Sequence, residues 1–174
     1  MPYILKYRPL QNLADVRLIT CRVPKVNKFI QGDLEEALRE SQCDTFGVYD
    51  NNKLVAFFAL RKDEKFVNAH GEKSAMEIAF LVVSKAYELQ GVGTAIIKEI
   101  SRMVLEDYHC KQITVEALVI THPPRQKYEA VTFYKKCKFL QAELYDRHKE
   151  TLALYRDAIG YEQLKGGVTL EREI

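Results

Sequence analysis

The chain has 174 residues, with 26 Lys and Arg against 24 Asp and Glu, so its formal net charge is only +2. Hydrophobic residues make up 47% and charged residues 29%, which is globular composition and excludes a disordered chain. One domain of this size buries roughly 70% of its unfolded surface. So small a net charge excludes nucleic-acid binding built on bulk electrostatics, and no apolar run is long enough to span a membrane. The start, Met1-Pro2-Tyr3-Ile4-Leu5-Lys6, lacks the basic-then-apolar layout of a signal peptide, so a cytoplasmic protein is expected. Cys21, Cys43, Cys110 and Cys137 are far apart and form no C-x-x-C pair; they read as reduced thiols, mostly packed. His70, His109, His122 and His148 are equally scattered, and no metal site is expected.

In chain order, Ile4–Tyr7 is a strand candidate stopped by Pro9, and Val26–Leu38 carries apolar residues at helical spacing around Gly32. Thr45–Tyr49 and Leu54–Leu60 flank a polar Asp50-Asn51-Asn52-Lys53 turn and predict an antiparallel hairpin. The charged stretch Arg61–Ser74 reads as an exposed loop. Ala75–Val83 is apolar apart from Glu77 and predicts a buried strand. A glycine-bearing turn then leads into an amphipathic helix over Thr94–Tyr108. Gln112–Ile120 predicts a strand, Pro123-Pro124 breaks the chain, and Tyr128–Lys136 predicts a short helix. Strands at Phe139–Tyr145 and Thr151–Tyr155 close the pattern. A strand–helix–strand unit in the middle implies a parallel pair within a mixed sheet covered by helices.

The turn Gly91-Val92-Gly93 is the sharpest local feature. Glycine permits positive φ and close approach to main-chain N–H groups, and the first amides of a helix lack internal partners. Such a turn suits a phosphate, or else serves strand-to-helix geometry alone.

The run Glu77-Ile78-Ala79-Phe80-Leu81-Val82-Val83 through Glu88-Leu89-Gln90-Gly91-Val92-Gly93-Thr94-Ala95-Ile96-Ile97 resembles motif A of the GNAT superfamily of acetyl-CoA-dependent N-acetyltransferases. Ala130-Val131-Thr132-Phe133-Tyr134-Lys135-Lys136-Cys137-Lys138-Phe139 resembles the family's A-x-x-F-Y-x-K-x-G-F segment. The resemblance covers residues 1–156 as one acetyltransferase domain and leaves 157–174 as an extension of unassigned role. It implies an α/β (mixed α+β) GNAT fold: a mostly antiparallel sheet with a splayed parallel strand pair, flanked by helices. Acetyl-CoA is then the cosubstrate, with no metal, and the partner is an amine-bearing acceptor. No membrane is implied; a homodimer and a tRNA acceptor stay open.

The same resemblance assigns roles. Main-chain groups of Leu81 and Val83 would pair with the pantetheine arm, and an N–H near Val82 or Val83 would serve the oxyanion. Gln90, Gly91, Val92, Gly93, Thr94 and Ala95 would hold the pyrophosphate through their amides. Tyr134 would protonate the leaving thiolate, or else simply pack its ring. Glu77 would draw the amine's proton through water, or else be an ordinary strand-start carboxylate. The sequence departs from the family pattern at Glu88, where Arg or Gln is usual, and at Leu89 and Lys138, where glycine is usual. Lys127 stands where an asparagine often contacts the cofactor. Thr20–Ile30 loosely resembles bacterial GNAT toxins that acetylate aminoacyl-tRNA, although Glu88 and the modest charge point away from them. A catalytically weak CoA-binding or protein-interaction module is the alternative function.

Overall fold

The computed structural model describes residues 4–22, 24–66, 74–118, 121–122, 125–127, 130–141, 151–158 and 169–172. The expectations for 67–73, 119–120, 123–124, 128–129, 142–150 and 159–168 lie outside the described residues. The chain divides into two compact units, one formed by Met1–Arg61, Ala79–Glu99 and Leu164–Ile174, the other by Lys62–Ile78 and Ile100–Gln163.

In the first unit, β1 (Ile4–Pro9), β2 (Asp44–Asp50) and β3 (Lys53–Lys62) form an antiparallel meander, with β1 in register from Lys6↔Tyr49 to Pro9↔Phe46. The β2–β3 turn is made by Asn51 and Asn52 at φ 47 and 70. Both positive angles match a type I′ turn, whose twist suits a tight hairpin and which asparagine tolerates. Every residue of β3 from Val55 to Leu60 is buried, as expected of a strand covered on both faces. The strand β4 (Ala75–Val83) lies beside β3. A strand that the sequence did not announce, β10 (Thr169–Arg172), runs parallel to β1 from Ile4↔Thr169 to Tyr7↔Arg172.

The single helix expected over Val26–Leu38 is two, α1 (Pro24–Gly32) and α2 (Leu34–Glu40). Asp33 interrupts them but keeps both ladders connected, donating its amide to Phe29 O and accepting from Ala37. Leu34 and Leu38 are buried one turn apart, and the Phe29 ring stacks on Phe80 of β4 at 5.9 Å.

In the second unit, Ala75–Ile78 of β4 pairs in parallel with Gln112–Val115 of β5 (Gln112–Leu118). The strand β9 (Thr151–Asp157) runs antiparallel to β5, and β8 (Leu140–Gln141) antiparallel to β9. A separate ribbon joins β6 (Thr121–His122) to β7 (Arg125–Lys127). The helix α3 (Val92–Glu106) spans the boundary, and its Ile96, Ile97, Ile100, Met103 and Val104 are buried at the spacing that predicted it. The helix α4 (Ala130–Lys136) lies in the second unit. The sheet is therefore mixed and mostly antiparallel, with helices beside it, as the fold class required.

Two expectations need correction. The charged stretch after β3 is not simply an exposed loop, because Asp63 and Phe66 are buried. The Asp63 carboxylate accepts from the Lys65 and Phe66 amides and from the Thr114 hydroxyl at 2.6 Å, while Phe66 lies 5.4 Å from the Tyr155 ring. An aspartate accepting from amides two and three residues onward is an Asx turn, a signal already present in Asp63-Glu64-Lys65-Phe66. Nor is β4 buried throughout: Ala75, Met76 and Ile78 are, but Ala79–Val83 is half-exposed along its whole length.

Candidate functional site

The segment between β4 and α3 is built entirely within the first unit. Ser84 donates its amide to Val55 O at 2.8 Å and Lys85 donates to Thr20 O at 2.7 Å, so the chain leaving β4 is pinned on two sides. A short 3-10 turn follows at Lys85–Tyr87. Its Tyr87 hydroxyl donates to the Asp50 carboxylate at 2.7 Å, tying the loop to the end of the β2–β3 hairpin. The Gln90 side chain donates back to Ala86 O at 2.8 Å.

Gly91 lies at φ 86, where a side chain is strained, and its carbonyl accepts the first bond of α3 from Ala95 at 3.0 Å. The amides of Val92, Gly93 and Thr94 therefore precede the helical ladder, at the positive end of the α3 dipole. The Val92 and Ala95 side chains are buried, so at those positions only the main chain is open to a ligand. Because the Ala95 amide is spent on Gly91, the amides expected to meet an anion narrow to Gln90–Thr94. Leu81, Val82 and Val83 are half-exposed, which leaves an apolar strand only partly covered just before the turn.

The departures at this turn have physical explanations. Leu89 takes φ 62, the left-handed region in which glycine is cheapest, and its side chain is 87% exposed. Glu88 is not a bare carboxylate. It pairs with the Arg22 guanidinium at 3.6 Å and accepts from the Arg22 amide at 3.4 Å.

Tyr134, Glu77 and Lys127 belong to the second unit. Tyr134 is 6% exposed, with its ring edge-on to Phe133 at 5.1 Å and to Phe139 at 5.2 Å. Lys138, at φ 71, closes the helix: its amide reaches Lys135 O and the Phe139 amide reaches Tyr134 O, both at 3.0 Å. Those two bonds and the Tyr134–Phe139 contact together make a Schellman motif. The left-handed residue again stands where the pattern has glycine. The Cys137 carbonyl accepts from Arg156 at 2.8 Å, and burial pushes the Arg156 guanidinium below its ordinary pKa, against the opposing influence of Cys137 and Asp157. Glu77 is half-buried and stands in register with Thr114. Lys127 ends β7, opposite Thr121. Sequence reasoning missed Arg22 as a neighbour of the turn, because the two are 66 residues apart.

Cys21, Cys110 and Cys137 are buried thiols and Cys43 is a half-buried one. Among the described residues no group of His, Cys, Asp and Glu is placed to hold a metal ion, and no helix is long and apolar enough to cross a membrane.

No curated protein matches the chain. Among solved structures, the AtaT–AtaR complex with acetyl-CoA has 18% identity and TM-score 0.66, over 92% of this chain and 97% of that one. A tyrosine-to-phenylalanine mutant of the AtaT toxin, bound to the C-terminus of the antitoxin AtaR, has 18% identity and TM-score 0.66, over 91% and 94%. The KacT–KacA complex with DNA has 17% identity and TM-score 0.64, over 91% and 96%. At such identities these neighbours speak to the fold. The model of the acetyltransferase (GNAT) family matches residues 16–139, most of the chain and both segments whose motifs pointed there, and the protein belongs to that family.

Proposed function

We propose that this protein is an N-acetyltransferase that moves the acetyl group of acetyl-CoA to a primary amine. The observation that carries the reading is the entry to α3: Gly91 at φ 86, followed by three amides ahead of the first helical bond. The cosubstrate would supply an acetyl thioester already activated toward amines. The Gln90–Thr94 amides hold its pyrophosphate, and the half-exposed β4 segment offers Leu81 and Val83 main-chain groups to the extended pantetheine. An N–H at Val82 or Val83 stabilises negative charge on the acetyl oxygen. Tyr134 donates a proton to the departing thiolate, and Glu77 takes the amine's proton through water. The acceptor is a small amine, a peptide or protein, or an aminoacyl-tRNA. Charged tRNA is included because Thr20–Ile30 resembles the GNAT toxins that acetylate aminoacyl-tRNA, and an antitoxin-like partner because the AtaT toxin of the same fold is bound to the antitoxin AtaR.

Calorimetric titration with acetyl-CoA, alongside CoASH release against amines, peptides and charged tRNA, tests the reading. Binding with turnover on one acceptor class is expected, and no binding overturns it. Tyr134→Phe should lower turnover by roughly a hundredfold or more with little change in acetyl-CoA affinity.

A second reading, a CoA-binding module without turnover, is favoured by the burial of Tyr134 to 6% exposure between two phenylalanine rings. Under it the wild-type protein binds acetyl-CoA but releases no CoASH with any acceptor, and Tyr134→Phe changes nothing.

A further inference from the structure

We propose that Arg22 is the counter-charge of the phosphate turn: by neutralising Glu88 it keeps the turn usable by an anion. The inference rests on the acetyltransferase reading of that turn and assigns a positioning role within it. Glu88 stands three residues before Gly91, and its side chain is only 19% exposed, so water screens its charge poorly. A bare carboxylate there opposes a pyrophosphate, because like charges at a few ångströms repel strongly at a protein surface.

The structure holds a cation against it. The Arg22 guanidinium is 3.6 Å from one Glu88 oxygen, and the Arg22 amide donates to the other at 3.4 Å. The backbone on either side of this contact is fixed. Asn27 brackets Cys21, accepting from its amide at 2.8 Å and donating to its carbonyl at 2.6 Å. Thr20 O receives the Lys85 amide at 2.7 Å. The segment carrying Arg22 is thus stitched to the same loop that carries Glu88, and the pair is built in rather than a chance meeting of two surface side chains. A chain that has Glu where its family pattern has Arg or Gln offsets that carboxylate with a cation from another segment.

The test is a double-mutant cycle read by calorimetric titration with CoA. Arg22→Ala should weaken CoA binding roughly tenfold, the scale of losing one charge-assisted contact. The same substitution in a Glu88→Gln background should cost less than roughly threefold, because no carboxylate then needs neutralising. Arg22→Lys should recover most of the affinity, and the Arg22→Ala loss should shrink as salt rises. Arg39→Ala on α2, which removes the same charge from an ion pair with Glu35, should leave CoA affinity unchanged. Melting curves confirm that each variant folds, and Arg22→Gln carries the same expectation if Arg22→Ala melts early. An equal Arg22→Ala loss in both backgrounds, or no loss in either, overturns the proposal while the acetyltransferase reading stands. Failure of the wild-type protein to bind CoA overturns both.

Discussion

Leu89 and Lys138 place ordinary side chains in the same left-handed region, at φ 62 and φ 71, yet the turns around them are held very differently. At Lys138 the geometry is over-determined: two hydrogen bonds at 3.0 Å close the end of α4, and the Tyr134 and Phe139 rings meet across them. At Leu89 the side chain is 87% exposed, and the preceding turn is closed by a Glu88–Lys85 bond at a long 3.4 Å. Left-handed backbone costs a non-glycine residue about 1–2 kcal/mol wherever it occurs. One turn holds that strain with two backbone bonds and a packed pair of rings. The other carries it beside the candidate anion seat, in a loop held by the Lys85, Tyr87 and Gln90 bonds but with the Leu89 side chain itself in solvent.

The largest effect is expected from breaking the Lys138 turn at its hydrophobic contact. Phe139 is 2% exposed and its ring lies 5.2 Å from Tyr134. Phe139→Ala should cost about 3–5 kcal/mol of stability, the range for deleting a buried aromatic ring. Urea unfolding measures it; a loss under about 1 kcal/mol would mean that the helix end holds without the rings.

Next comes the glycine between the two kinds of turn. Gly91, at φ 86, has no Cβ to strain, and Gly91→Ala introduces one. We expect about 1–2 kcal/mol of lost stability, together with weaker CoA binding, since the Val92–Thr94 amides shift with the turn. Chemical denaturation and calorimetry on the same variant separate the two losses. Unchanged CoA affinity would detach the turn from the cosubstrate.

Lys138→Gly works in the opposite direction. It relieves left-handed strain but adds about 0.5–1 kcal/mol of unfolded-state entropy, so a net gain of about 0.5–1 kcal/mol is expected. The gain should appear as a higher urea midpoint at constant slope. A loss would show that the lysine stem packs more favourably than its backbone is strained.

How much of this was legible follows from the range of each interaction. The Asn51-Asn52 hairpin, the amphipathic spacing of α3 and the glycine entry at Gly91 are local, and local chemistry is written in neighbouring residues. The helix over Val26–Leu38 was misjudged because its apolar spacing continues smoothly across Asp33, while the break depends on backbone geometry. The Asp63 turn was obscured by the charge around it, although its amide-capping pattern is local. The Arg22–Glu88 pair and the β1–β10 pairing join distant segments, and no periodicity announces either. Glu88 read alone is an obstacle to phosphate, and only its partner changes that. The odd residues at Leu89 and Lys138 were visible as departures from a pattern, but the positive φ that makes glycine usual there was not.

Leu89→Gly is the smallest expected effect and the most direct comparison with Lys138→Gly. Strain relief at φ 62 again opposes the entropy of a glycine. With the Leu89 side chain in solvent no packing helps hold a glycine in place there, so the entropy takes most of the relief and stability should move by less than about 0.5 kcal/mol. Removing an 87% exposed leucine adds little, since its apolar surface is already in water. Any change should instead appear in CoA binding, because added freedom at position 89 must be lost when the amides of Gln90–Thr94 close on a phosphate. A modest loss of affinity with an unchanged urea midpoint would place the role of Leu89 in pre-ordering the loop. A gain in stability larger than that of Lys138→Gly would reverse the comparison and show that the greater strain sits at the anion seat.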